Sequence, residues 1–242
     1  MSSGTPNVSN VTPSKIPLPD KKKIHHVFID IGLGTLENNA IYTETLRRNR
    51  ERFGSLYQFK IWQEEDCEAL VKEYSQDIQD AWHSFPSQVY KIDFVRPLIL
   101  YKEGGLYLDL DLFIKKDPAP IFLQNFVGLW KNQKTGADGN GRANNDIMHF
   151  NNRDDYLEYA NFCVERTKTC RIPDKWKVGV MTDTVGWKAF DAFRRHKGWS
   201  GTMGDVNRYF YSYWTGACYR SLRGQPAPKH YKKSPPVPPL EK

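Results

Sequence analysis

No window of this 242-residue chain approaches the roughly 20 consecutive apolar residues that a bilayer-spanning helix needs. Met1 to Pro19 is polar and rich in Pro and Ser, without the apolar centre of a signal peptide. A cytoplasmic setting is therefore expected. Cysteine is scarce: Cys67, Cys163, Cys170 and Cys218 are too scattered for a disulfide framework, and none forms the Cys-x-x-Cys pair of a structural zinc site. Reduced, mostly buried thiols are the expectation. The body also lacks charge of one sign. The net charge is +7, but residues 1–23 carry +3 and residues 223–242 carry +4, which leaves residues 24–222 near zero. Without a basic groove on the folded part, nucleic acid is excluded as the expected partner.

What is present is a folded-protein composition, with 39% hydrophobic residues and 7 Trp, 13 Tyr and 13 Phe supplying many flat ring surfaces. Residues 1–20 read as an extended tail, residues 21–222 as one domain, and residues 223–242 as a Pro- and Lys-rich tail or linker. That last segment holds Pro226, Pro228, Pro235, Pro236, Pro238 and Pro239, and it offers a place for further domains to attach.

Within the body, Ile24 to Asp30 is a β-rich run stopped by Gly32 and Gly34. A helix is expected over Asn38 to Arg52, a strand over Tyr57 to Trp62, and a helix from the acidic Glu64-Glu65-Asp66 through Tyr74. A further helix spans Gln88 to Lys102, starting near Asp93 or kinking at Pro97, and leads through Gly104-Gly105 into a strand over Leu106 to Ile114. Strands alternating with helices predict an α/β fold, a mixed or parallel sheet whose ligands sit beyond the carboxyl ends of its strands.

The chemistry concentrates in Leu106-Tyr107-Leu108-Asp109-Leu110-Asp111-Leu112-Phe113. Leu holds every even position, while Tyr, Asp, Asp and Phe hold the odd ones. Read as a strand, this puts Asp109 and Asp111 on one face with Cα atoms roughly 6.5–7 Å apart. Two carboxylates beside rings call for a cation, and oxygen-only ligands suit Mg²⁺ or Mn²⁺ carrying a phosphate-bearing substrate. A solvated edge strand is the plain alternative. The Gly104-Gly105 corner argues for a delivered pair, because it lets the helix end in a left-handed turn and the backbone pack closely just before the strand. Upstream, Asp93 and Arg96 share one helical face, where they pair with each other or reach a ligand together.

The block Asp93-x-x-Arg96-x-x-Ile99-Leu100, followed by Gly104-Gly105-x-Tyr107-Leu108-Asp109-x-Asp111, resembles the sugar-nucleotide motif of glycosyltransferase family 32, the Och1-like enzymes, and of the related clostridial glucosylating toxins. Ile24 to Phe28 is similar to that family's opening strand. Phe59-Lys60-Ile61-Trp62, with the acidic run after it, resembles another family segment; Asn144-Asn145-Asp146-Ile147-Met148 resembles its donor-proximal loop, and Ser212-x-Trp214 a Ser-x-Trp pair near the toxins' active site.

The resemblance implies a GT-A fold, a Rossmann-like sheet flanked by helices in a single domain. It implies a nucleoside diphosphate sugar donor, UDP- or GDP-linked, a glycan or other hydroxyl acceptor, and retention of anomeric configuration. Asp111 would ligate Mn²⁺ or Mg²⁺ directly, Asp109 would contact ribose or sugar and touch the metal through water, and Ser212 would complete the metal shell. Asp93 and Arg96 would hold sugar hydroxyls and, with Asp109, serve catalysis. Phe28, Ile29 and Trp62 would line the nucleoside pocket, Asn145 and Asp146 would lie beside the donor, and Trp214 would reach the diphosphate or glycosidic oxygen. Family members of the Och1 type are anchored in the Golgi, so a Golgi lumen is expected if this chain is a trimmed piece.

Two other readings use the same residues. Haloacid dehalogenase-type phosphatases also place Asp-x-Asp at a strand end, although there the motif normally opens its domain. A sugar-nucleotide or glycan-binding module without turnover is the third. His83, His149 and His196 are read as structural.

Overall fold

The computed structural model describes residues 22–32, 34–130, 142–170, 178–199, 203–205 and 209–212, with the backbone alone at 129–130, 142–144, 178–179, 203–205 and 211–212. The expected tails, the Gly136 to Gly141 stretch, Cys218 and Trp214 lie outside the described residues.

The chain starts with strand β1 (Lys22–Val27), helix α1 (Ala40–Phe53) and strand β2 (Tyr57–Trp62), with β2 parallel to β1. Asn39 caps α1, its Oδ1 accepting the Tyr42 N–H at 3.2 Å. Helices α2 (Glu64–Val71) and α3 (Gln76–Ser84) follow, so α2 stops short of the expected Tyr74. Helix α4 (Gln88–Glu103) runs without a break through Pro97, which has no N–H to offer the Asp93 carbonyl. It neither starts late nor ends at the proline, because Tyr90 and every residue from Asp93 to Leu100 are buried, and packing on all sides outweighs the one missing bond.

Gly104 and Gly105 turn the corner with φ of 68° and 91°. At Gly105 a Cβ would lie 2.5 Å from the Lys23 carbonyl oxygen, so the close backbone approach expected of this pair is realised against β1.

The long strand expected over Leu106 to Ile114 is two strands. β3 (Leu106–Leu108) joins the main sheet, and β4 (Leu112–Ile114) leaves it to pair with β8 (Phe210–Ser212) in a two-stranded ribbon. Between them the chain makes a turn closed by the Leu112 N–H to the Asp109 carbonyl at 3.1 Å. Leu106, Leu108, Leu112 and Ile114 still enter one apolar cluster, but Asp109, Leu110 and Asp111 lie in the turn, so the two carboxylates do not share the face of one strand as expected.

After a 3-10 turn (Ala119–Leu123) come β5 (Phe126–Trp130), β6 (Arg142–His149), α5 (Asp154–Thr169), α6 (Val178–Thr184), α7 (Trp187–His196) and β7 (Met203–Asp205). The main sheet has the order β2-β1-β3-β6-β5-β7. β1, β2 and β3 are parallel, while β6 runs antiparallel to β3 and to β5. On one face Val27, Tyr107 and Met148 meet α4 and α5; on the other, Ile24, Leu108 and Ile147 meet Phe53 of α1. This is the α/β mixed sheet with helices on both faces that the sequence leads one to expect. Among the described residues, no helix is long and apolar enough to cross a membrane.

Candidate functional site

The parallel strands put the carboxyl ends of β1, β2 and β3 at one edge, where an open α/β sheet binds its ligands. There the chain leaves β3 at Asp109, whose N–H donates to the Asp146 carbonyl at 2.9 Å and so ties the turn to β6. The residues Asn144 to Met148, expected as a loop, lie in the middle of β6. Asn is a poor strand former, and Asn145 and Asp146 sit where the β5·β6 register breaks between the Val127–Met148 and Gly128–Asn144 pairs, with both residues buried.

Arg96 organises the site. One guanidinium nitrogen forms an ion pair with Asp93 Oδ1 at 2.8 Å and donates to the Asn145 carbonyl at 2.9 Å; the other donates to Asp109 Oδ1 at 2.8 Å. Its planar group lies over the Tyr107 ring, 4.7 Å from the centroid. The Tyr107 hydroxyl donates to the same Asp109 Oδ1 at 2.7 Å. The expected pairing of Arg96 with Asp93 is present, and the pairing with Asp109 is one the sequence did not suggest.

Exposure separates the members. The side chains of Arg96 and Asp93 are 6% and 9% exposed, whereas Asp109 keeps 29% open to solvent. Two donors converge on Asp109 Oδ1, so Oδ2 is the oxygen left to face a ligand. Asp111, half-buried in the turn, follows two residues on. Burial pushes the Asp93 carboxyl up to about 6 against the pull of the Arg96 guanidinium, and burial likewise raises Asp109 against Arg96. Tyr107 is held well above its usual range by burial and stays a donor.

The remaining expected residues fall as follows. Phe28 is half-buried just past β1, its ring edge set against Tyr42 at 6.3 Å, and Ile29 beside it is 3% exposed. Trp62 is 4% exposed; its indole N–H donates to His25 Nδ1 at 3.1 Å and Lys60 Nζ sits 3.7 Å above the ring, so it backs the strand end from within the core. Ser212 stands opposite Leu112 in the β4·β8 ladder, one residue from Asp111, while its side chain lies outside what is described. His149 is structural as expected, Nδ1 meeting the Gly105 carbonyl at 2.8 Å, and His83 and His196 are exposed.

Three groups at the site were not singled out from the sequence. Tyr107 shares the odd-numbered face of Asp109, so the alternation carried a signal for it. His26 and Asn49 gave none: His26 Nδ1 meets the Leu108 carbonyl at 2.6 Å, and Asn49 reaches β4 from α1 across 63 residues of sequence.

Among the described residues there is no cluster of three or more His, Cys, Asp or Glu side chains placed to hold a metal. The oxygens of Asp109 and Asp111 nevertheless fit a hard divalent cation that takes its other ligands from a diphosphate and water.

Residues 37–127 match the family described as "glycosyltransferase sugar-binding region containing DXD motif". That stretch is similar to a glycosyltransferase sugar-binding region. Asp93, Arg96, Asp109 and Asp111 all lie inside it. Relatives include inositol phosphoceramide mannosyltransferase 1 of Schizosaccharomyces pombe, 30% identical over 98 residues, which is 40% of this chain and 30% of that protein. The initiation-specific alpha-1,6-mannosyltransferase of Candida albicans is 36% identical over 58 residues, or 23% of this chain and 15% of that protein. The chain thus spans less than a third of the length of the curated relatives it matches. Among solved structures, the PaToxG glycosyltransferase covers 73% of this chain and 69% of its own, with TM-score 0.47 and 13% identity. None of the relatives named here is a phosphatase.

Proposed function

We propose that this chain transfers a sugar from a nucleoside diphosphate donor to a hydroxyl acceptor with retention of anomeric configuration, using Mn²⁺ or Mg²⁺ held by Asp109 and Asp111. The observation that carries the reading is the bridge of Arg96 between Asp93 and Asp109, set at the carboxyl ends of parallel strands and next to the turn that bears Asp111. In the proposed complex, Arg96 and Asp93 bind sugar hydroxyls, and Asp109 offers its second oxygen to ribose or sugar. Phe28 and Ile29 shape the nucleoside end, with Trp62 bracing it from behind, and Asn145 and Asp146 bound the donor from β6. Ser212 and Trp214 are assigned to the diphosphate side by resemblance. A bound cation would offset the negative charge that develops on the departing diphosphate.

The relatives are named as mannosyltransferases, which makes GDP-mannose the first donor to try and a glycan or an inositol phosphoceramide the first acceptor class. The proposed domain runs over 21–222, with residues 1–20 and 223–242 as tails, the latter a link to further domains. A Golgi lumen suits that acceptor class.

Incubation with Mn²⁺ and a panel of UDP-, GDP- and TDP-sugars tests the reading. Release of nucleoside diphosphate from one donor, falling by at least about a hundredfold in Asp111→Ala, is the expected outcome. Phosphate freed from an aryl phosphate would replace this reading with a phosphatase, and metal-dependent binding without turnover, with any acceptor, would replace it with a binding module.

A further inference from the structure

Asn49 is a fully buried amide on α1, and the mechanism above makes no use of it. Its Nδ2 donates to the Leu112 carbonyl at 3.0 Å, and its Oδ1 accepts the Ile114 N–H at 2.8 Å. These are the groups that β4 presents on the edge away from β8, and one side-chain amide supplies both the donor and the acceptor that a neighbouring strand would offer. β4 is therefore held on both edges: by β8 through Leu112, Phe113 and Ile114, and by Asn49 through Leu112 and Ile114.

The turn between Asp109 and Leu112 has no ladder of its own, so its geometry is set by what holds its two ends. The entry is fixed by the Leu108 carbonyl on His26 and by the Asp109 N–H on Asp146. The exit is fixed by Asn49, whose contact begins at the residue directly after Asp111.

We infer that Asn49 is a positioning residue that sets the register of β4 and thereby the place of the Asp111 carboxylate relative to Asp109, so that the pair grips one divalent cation beneath a nucleoside diphosphate. The inference rests on the glycosyltransferase reading and adds a residue outside the sugar-nucleotide motif on which cation affinity depends. Loss of the amide leaves a carbonyl and an N–H of β4 unpaired in the core, and the strand shifts or frays to find water for them.

The test uses Asn49→Leu, which keeps the volume and removes both bonds, and Asn49→Asp, which keeps the acceptor for Ile114 and removes the donor to Leu112. Thr45→Val, on the same helix and equally buried, is the control. Mn²⁺ affinity is read by the loss of the free-ion paramagnetic resonance signal in the presence of UDP or GDP. Thermal unfolding follows the fold, and donor hydrolysis gives kcat and KM. Positioning predicts that Asn49→Leu raises the Mn²⁺ dissociation constant at least tenfold while UDP or GDP binding without metal changes less than twofold. Asn49→Asp falls between Leu and wild type, and Thr45→Val matches wild type. Should Asn49→Leu not fold, Asn49→Asp alone decides.

Two lower-melting variants with Mn²⁺ affinity within twofold of wild type would overturn the inference and leave the glycosyltransferase reading standing. A wild-type protein that neither retains Mn²⁺ with either nucleotide nor splits any donor would overturn both.

Discussion

Arg96 carries two carboxylates on one planar group, and at 6% exposure it has no water to replace either partner. Arg96→Lys keeps the charge and loses the fork, because an ammonium cannot span Asp93 and Asp109 in the same geometry. We expect kcat/KM for donor hydrolysis to fall about a hundredfold with the fold retained. Arg96→Ala should go further, leaving Asp93 buried without its counter-charge and Asp109 with the Tyr107 hydroxyl alone, at a cost of about 3–5 kcal/mol in urea unfolding. Tyr107→Phe removes one of the two donors on Asp109 Oδ1 and should cost only about 1 kcal/mol in stability. Its effect on kcat/KM should lie well below that of Arg96→Lys, since the guanidinium still aims the carboxylate. An Arg96→Lys enzyme with wild-type kcat/KM would remove Arg96 from the site.

At the scale of elements, the legible parts were those where one local rule decided. The helix expected over Asn38 to Arg52 is α1 to within two residues at each end, and the Gly104-Gly105 corner closed α4. The Asp109–Leu112 turn was invisible for a definite reason: four leucines at even spacing satisfy a continuous strand equally well. Leu110 is also buried, so it keeps the apolar alternation going across the turn. What breaks the strand is the availability of β8, about a hundred residues later, as a second partner. β6 was missed for the opposite reason, since Asn144-Asn145-Asp146 reads as a turn until β3 and β5 are known to flank it. The same distinction explains Pro97, whose local cost is overridden by burial around all of α4.

The corner itself makes a sharp prediction. Gly105→Ala must place its Cβ 2.5 Å from the Lys23 backbone oxygen, where no side chain can move aside, and should break the β1·β3 pairing. Gly104, with φ of 68° and ψ of −162°, holds a conformation open essentially to glycine alone but has nothing within 4 Å of its Cβ, so Gly104→Ala should cost about 1–3 kcal/mol of backbone strain and no clash. Urea unfolding of the two variants should differ by more than about 2 kcal/mol. Equal midpoints would mean that β1 and β3 can separate without penalty.

For the molecule as a whole, acid sensitivity follows from two histidines buried on opposite faces of β1. Burial pushes His25 down to about 4 and His26 to about 3, whereas an unfolded chain binds those protons near 6.5. The unfolded state thus takes up protons first, and each group lowers stability as pH falls below 6.5, by about 1.4 kcal/mol per unit. Asp93 acts in the other direction: raised to about 6 from 3.8, it is protonated first in the folded state and adds stability across that window. The net expectation is a loss of about 1.4 kcal/mol per pH unit between 6 and 4, seen as a falling urea midpoint with little change between pH 7 and 8. A flat midpoint down to pH 5 would mean that β1 admits water to both rings.

The seam between the six-stranded sheet and the β4·β8 ribbon orders events during synthesis. A nascent chain halted after α5 already contains Arg96 and both acids of the turn, with every strand of the main sheet except β7. Its β4 is then steadied on the Asn49 side and bare on the other. Competence waits for Phe210–Ser212 to clear the ribosome, so a strand made late completes the footing of a turn made early.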